Sequence, residues 1–190
     1  MGSYFSDAGL FLIDTLLGIY ILLVLLRFLL QITRSDFYNP ISQFIVRATN
    51  PPLVRLRRFI PGIWGIDLSA LLLVLSIEAI WISLTAVILG HSPRIVGVIL
   101  LSIGEITKLT AHIVIFSIFV RALLSWFSSG IHHPIARLLN SFTEPLLRPA
   151  RQILPATRGL DLSPLITFIV LMTVLKLVVQ PILDLGGFLL

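Results

Sequence analysis

Residues 27–69 read RFLLQITRSDFYNPISQFIVRATNPPLVRLRRFIPGIWGIDLS, and residues 121–163 read RALLSWFSSGIHHPIARLLNSFTEPLLRPARQILPATRGLDLS. Shifted by 94 residues the two align without a gap, and 15 of 43 positions are identical. Chance gives about one identity in ten in such leucine-rich sequence, so the chain is a duplication. The identities fall as punctuation: Arg27 on Arg121, Pro40 on Pro134, and Thr49-x-Pro51-x-Leu53 on Thr143-x-Pro145-x-Leu147. Arg57 then meets Arg151, Pro61 meets Pro155, and Gly65-x-Asp67-Leu68-Ser69 meets Gly159-x-Asp161-Leu162-Ser163.

Each stretch is flanked by apolar runs. Four segments, 8–30, 68–89, 102–124 and 162–183, hold about 22 residues each, where about 20 span a hydrocarbon core of about 30 Å. Of the 190 residues 57% are apolar and 12% charged, with a mean hydropathy of +1.03. A soluble domain carries about 25% charge and has too little interior to hide this much apolar surface. The expected fold is an all-α membrane protein of four transmembrane helices, arranged as two helix–amphipathic loop–helix units, 1–93 and 94–190. The first span is expected to be retained and not cleaved as a signal peptide: it is too long, and no basic residue precedes it. Both units hold two spans, so both insert the same way, which predicts a pseudo-two-fold axis along the membrane normal.

Net charge is +5, yet its placement argues against nucleic acid. Nine of fourteen basic residues lie in the two loops: Arg34, Arg47, Arg55, Arg57, Arg58, Arg137, Arg148, Arg151 and Arg158. The positive-inside rule then puts both loops in the cytoplasm and both termini outside. The chain has no cysteine, which excludes disulfides, thiol nucleophiles and thiolate metal sites.

The loops carry more identity than the spans, since lipid-facing positions need only be apolar. Asn39 and Pro40 suit the cap and first position of a short amphipathic helix. Ile41, Phe44, Ile45 and Ala48 share its apolar face, and Ile135, Leu138, Leu139 and Phe142 share that of the second copy. Such a helix belongs in the membrane interface. Pro51 and Pro145 are expected to end it, because the residue before proline avoids helical geometry. Arg55, Arg57 and Arg58 follow in one copy, Arg148 and Arg151 in the other, placed to meet anionic lipid headgroups or a partner. Asp67 and Asp161 read as N-caps of the second span in each unit.

The pattern Asn-Pro (His-Pro in the second copy), Thr-x-Pro-x-Leu, Arg, Pro, Gly-x-Asp-Leu-Ser, carried twice, resembles the YggT family of bacterial membrane proteins, whose plastid relatives are called YlmG. The resemblance covers nearly the whole chain as two units. It implies a bacterial inner-membrane protein linked to osmotic or salt stress and potassium handling, or to division and assembly processes, with no established catalytic residues.

Ionisable residues inside a span are costly and are functional candidates. Here they are Asp14, Glu78, Glu105, Lys108, His112 and Lys176. Asp14 and Lys108 are repeat equivalents of opposite charge and equal expected depth, which allows a salt bridge across the axis, with Glu105, one turn from Lys108, as the alternative partner. Glu105, Lys108 and His112 share one helix face. A polar line from Glu105 through His112 to the cytoplasm would point to transport; a compact network sealed by Phe116 and Phe119 would point to a scaffold. No phosphate-loop, dinucleotide, metalloprotease or nucleophile-elbow pattern occurs, and His132-His133 lacks a third ligand nearby. The expectation is a non-enzymatic scaffold or accessory factor without cofactor or metal, whose partners are lipid and a second copy or another membrane protein. The alternative is a small potassium or proton transporter or channel component.

Overall fold

The computed structural model describes residues 2–62, 65–127, 134–153 and 161–190. In the first unit, α1 runs Gly2–Ile32, α2 Pro40–Leu56 and α3 Leu68–Ile88. In the second, α4 runs Ile95–Phe127, α5 Pro134–Ile153, α6 Ser163–Val174 and α7 Gln180–Leu189, with a π-helical turn Leu175–Val179 joining α6 to α7. No strand occurs among the described residues. Among the described residues four helical stretches are long and apolar enough to cross a membrane: Ala8–Ile32, Leu68–Ile88, Ile95–Leu124 and Ser163–Leu189. They leave large side chains such as Leu16, Ile80, Phe116 and Leu177 exposed, as a lipid solvent allows.

Local chemistry sets the ends. Arg34 closes α1 in the left-handed region at φ 52°, and the Ser35 amide reaches back to the Leu30 carbonyl at 2.9 Å. Gly90 does the same for α3 at φ 83°, with His91 donating to Ala86 at 2.9 Å. Both are αL closures that satisfy carbonyls orphaned at a helix end. Asn39 caps α2, its side chain accepting from the Ile41 amide.

Two expectations about the loop helices need correction. The prolines do not end them: α2 continues through Pro51 and Pro52, and α5 through Pro145 and Pro149. A mid-helix proline forfeits one backbone bond, but Leu53 and Leu147 lie just beyond and are 0% and 1% exposed. Continuing the helix keeps both in the core, and tertiary burial outweighs the lost bond. The buried face also differs. Ser42, Ile45, Thr49 and Leu53 point inward on α2, while Phe44 is 63% exposed. On α5 the buried set is Leu138, Phe142, Thr143, Leu147 and Ala150, and Ile135 lies outside.

The units are not related by a closed two-fold. α4 packs along α3 on one side and along α6 and α7 on the other, whereas α1 packs on α2 and α3 and meets α4 only slightly. Closed symmetry would set α1 against α6 and α7 as α4 is set against α3, and no such packing face exists among the described residues. The spans form an open row, α1–α3–α4–α7. On the loop side the units do meet, where Asn39 Nδ2 donates to the Pro134 carbonyl at 2.7 Å.

Glycine explains how tightly the second unit closes. A Cβ on Gly97 would sit 2.7 Å from the Leu189 and Leu190 backbones, and one on Gly186 2.9 Å from Leu101. Small residues let membrane helices approach this closely. The core, midway along the row, gathers Ile21, Val24 and Leu25 of α1, Val74 of α3 and Ile106, Ile113 and Val114 of α4.

Candidate functional site

Two polar regions lie on either side of that apolar core. The first, on the loop side, is built around the repeated arginines. Arg27 sits five residues before the end of α1 and is 6% exposed. Its Nη1 donates to Thr49 Oγ1 at 2.9 Å and Asn50 Oδ1 at 2.9 Å, with the Val46 carbonyl at 3.3 Å. Arg121 repeats the device on α5: Nη1 donates to Thr143 Oγ1 at 2.7 Å, and Nη2 to Glu144 at 3.0 Å. Each threonine hydroxyl in turn donates to a carbonyl one turn back, Ile45 or Leu139, at 2.7 Å. The Thr-x-Pro motif is thus a socket that receives the arginine of the preceding span and fixes the loop helix to it.

A second pair of bonds ties the far end of each loop helix to the next span. Arg57 pairs with Asp67, whose other oxygen accepts from the Ala70 amide at 3.3 Å at the start of α3. Arg151 pairs with Asp161 at 2.9 Å and also with Glu144. Asp161 stands one residue before the cap position, which Leu162 fills; its carboxylate still accepts from the Ser163 amide at 3.0 Å and hydroxyl at 2.6 Å. Arg57 and Arg151, read from the sequence as contacts for lipid or a partner, are therefore turned onto their own chain, because each finds a carboxylate ten residues on. Arg55, Arg58 and Arg148 are exposed and make no ion pair among the described residues.

Electrostatics follow the geometry. Partial burial pulls the Glu144 carboxyl upward, but the bonds from Arg121 and Arg151 outweigh it and hold the group below its ordinary 4.5. Asp161 is likewise held below 3.8, with burial opposed by the Ser163 and Arg151 bonds. Arg151 is raised above its ordinary value by the same two carboxylates, against the pull of burial.

The second region lies on the termini side. A cavity of about 450 Å³ opens between α1, α3 and α4, lined by Asp14, Glu78, Glu105, Trp81 and Thr85, with Leu89, His91 and Leu190 at its mouth and Ile21 toward the core. Lys108 does not reach Asp14, so the salt bridge across the axis does not form. It pairs with Glu105 on its own helix at 3.1 Å, since the open row leaves α1 and α4 apart at this level. His112 Nδ1 donates to the Lys108 carbonyl at 2.8 Å and is exposed. Lys176 is exposed on the π turn. Phe116 and Phe119 do not seal anything; they are 67% and 58% exposed. The barrier below the cavity is the core layer of Ile21, Val24, Val74, Ile113 and Val114. Among the described residues no three histidines or carboxylates converge on a metal site. His132, His133 and Arg158 lie outside the described residues.

The sequence reading missed the sockets. Their signal was present: Arg27/Arg121 and Thr49/Thr143 are both identical at the 94-residue shift.

The family model described as CCB3/YggT matches residues 6–88 and again 100–182, each match spanning one helix–loop–helix unit with its socket. This chain belongs to the CCB3/YggT family. Its relatives include an uncharacterised protein of Pseudomonas aeruginosa, 42% identical over 96% of this chain and 93% of the relative. A protein of Vibrio alginolyticus is 40% identical over 84% and 86%. The uncharacterised protein YggT of Escherichia coli K12 is 36% identical over 93% and 92%. No solved structure matches the chain. The tandem YggT matches recur at the same 94-residue interval as the Arg–Thr sockets, so each YggT unit carries its own loop helix and its own pin.

Proposed function

We propose that the chain is a non-enzymatic accessory or scaffold factor of the bacterial inner membrane, with its loop side in the cytoplasm and its termini outside. The two loop helices form a fixed basic platform for anionic headgroups or a protein partner, in a role serving osmotic or salt tolerance or membrane assembly. The observation that carries this reading is a division of labour among the arginines. Arg27, Arg57, Arg121 and Arg151 are bound internally and hold the platform still, while Arg47, Arg55, Arg58, Arg137 and Arg148 are exposed along the two loop segments. A rigid surface of guanidinium groups suits bidentate contact with phosphate, and the loop charge supports the orientation. The test is thermal stability in nanodiscs. Phosphatidylglycerol should raise the melting temperature over phosphatidylcholine, and the triple variant Arg55→Gln, Arg58→Gln, Arg148→Gln should lose that increment. Equal melting of wild type in both lipids would refute the platform.

A second reading, a small cation transporter, is favoured by the three carboxylates around the termini-side cavity. The apolar layer beneath it weighs against a continuous path. Potassium or proton flux from proteoliposomes above that of empty vesicles would decide for transport.

A further inference from the structure

At the arginine socket the two units differ by one charge. In the second, Glu144 bridges two guanidinium groups: Oε2 accepts from Arg121 Nη2 at 3.0 Å and Oε1 accepts from Arg151 Nη1. Arg151 also pairs with Asp161, so two arginines meet two carboxylates. The equivalents in the first unit are Arg27, Asn50, Arg57 and Asp67. Two arginines there meet one carboxylate, and a neutral amide one methylene shorter stands at the position of the bridging acid.

Asn50 reaches Arg27 alone. Nη1 of Arg27 makes all three bonds of the socket, and its Nη2 and Nε make none among the described residues. Arg57 uses Nη2 for Asp67; its Nη1 and Nε make no bond among the described residues, on a side chain 38% exposed. Of the charges that act on Arg27, the like charge of Arg57 is felt more strongly than the opposite charge of Asp67. The remaining acid of this loop, Asp36, accepts from the Tyr38 amide and pairs with neither arginine. We infer that an oxyanion of the phosphate class, from a lipid headgroup or free phosphate, binds between Arg27, Asn50 and Arg57, in the place the Glu144 carboxylate takes in the second unit.

The chemistry matches. A phosphate group carries full negative charge and at least two acceptor oxygens, which receive N–H groups from two guanidinium planes as the Glu144 carboxylate does. Its donors are the free nitrogens of Arg27 and Arg57 and the Asn50 amide. A guanidinium as buried as that of Arg27, 6% exposed, is screened less by water and salt than a surface one, so an opposite charge beside it counts for more. The approach is open. Tyr20 Oη is the one side-chain nitrogen or oxygen sealed from solvent without a partner among the described residues, so the free nitrogens of Arg27 are not sealed. Arg27 lies five residues from the loop-side end of α1, about 8 Å at 1.5 Å per residue, within reach of the membrane interface and of the aqueous loop side.

A headgroup phosphate of phosphatidylcholine fits this site as well as one of phosphatidylglycerol, so the site and the exposed platform fail separately. The probes are sodium phosphate and dioctanoyl-phosphatidylglycerol. Each is titrated onto the full chain in a maltoside detergent, which carries no phosphate, at constant ionic strength balanced with chloride. At least one should raise the melting temperature, as a ligand of the folded state does. Tighter binding of sodium phosphate assigns a free anion, and tighter binding of the lipid assigns a headgroup. Asn50→Glu places a carboxylate in the site and keeps Arg27 bonded; it should weaken the apparent affinity about tenfold or more, and Arg57→Gln should weaken it too. The triple variant Arg55→Gln, Arg58→Gln, Arg148→Gln should still respond. Melting of each variant without probe reports folding. No shift from either probe, a shift equal to wild type in folded Asn50→Glu or Arg57→Gln, or complete loss of the shift in the triple variant would each overturn the inference.

Discussion

The two units share a plan and differ in how they neutralise it. In the first, Arg27 is buried and, among the described residues, bonded only to neutral oxygens, those of Thr49, Asn50 and Val46. In the second, Glu144 replaces Asn50, and Arg121, Glu144, Arg151 and Asp161 form one continuous chain of ion pairs. The first solution is deeper and depends on its few hydrogen bonds. The second is more exposed, redundant and titratable. On the termini side the contrast reverses: the second unit is closed by glycine contacts, and the first gapes into the acidic cavity. Duplication fixed the positions, and later substitution decided which end of each unit is firm.

The contrast is sharpest in a pair of arginine variants. Arg27→Met should destabilise by about 3 kcal/mol, because charged hydrogen bonds are worth about 1.5–3 kcal/mol and buried acceptors lose their donor. Arg121→Met should cost about 1 kcal/mol, since Glu144 keeps Arg151 and the site is partly screened. Thermal melts in detergent would compare them, and equal losses would break the distinction between the two networks.

Glycine variants probe the other end. Gly97→Ala should cost about 1–3 kcal/mol, as overpacking against backbone does, because the Leu189 backbone lies where the methyl would go. Gly18→Ala, with nothing nearby, should be neutral or stabilise by up to about 1 kcal/mol through helix propensity. Similar melting temperatures for both variants would show that the second unit is not closed by this contact.

Acid should separate the units more gently. Glu144 and Asp161 have depressed folded-state values relative to 4.5 and 3.8. Their contribution is full above those values and is lost as the pH falls through the lower folded ones. Melting temperature should therefore drop below about pH 4.5, and Glu144→Gln should show a flatter profile with a lower plateau at neutral pH. A wild-type profile with the same slope as Glu144→Gln would remove Glu144 from the account.

The smallest expected effect is Asn50→Glu, which gives the first unit the second unit's acid. It should raise stability by less than about 1 kcal/mol, since the new carboxylate gains Arg27 but loses solvent.

Spans, units and loop helices were legible in the sequence because lipid demands long apolar runs and the duplication repeats its punctuation. Leu53 and Leu147 show where local rules failed: Pro51 and Pro145 signal a helix end, but burial of leucine beyond them is a tertiary fact. Asp14 and Lys108 failed differently. Equal register guarantees equal depth and nothing about lateral distance, which depends on whether the row of helices closes.

The helices of each pair also differ in reach. α3 spans 21 residues, about 31 Å, and the stretch Ile95–Leu124 of α4 spans 30, about 45 Å at 1.5 Å per residue. One matches a hydrocarbon slab of about 30 Å standing upright; the other must lean or protrude. Because the two are packed together, a thicker bilayer draws α4 toward the normal and a thinner one tips it over. Arg121, near its end, would then ride at a depth set by acyl-chain length, which makes the pinned loop helix a reporter of bilayer thickness.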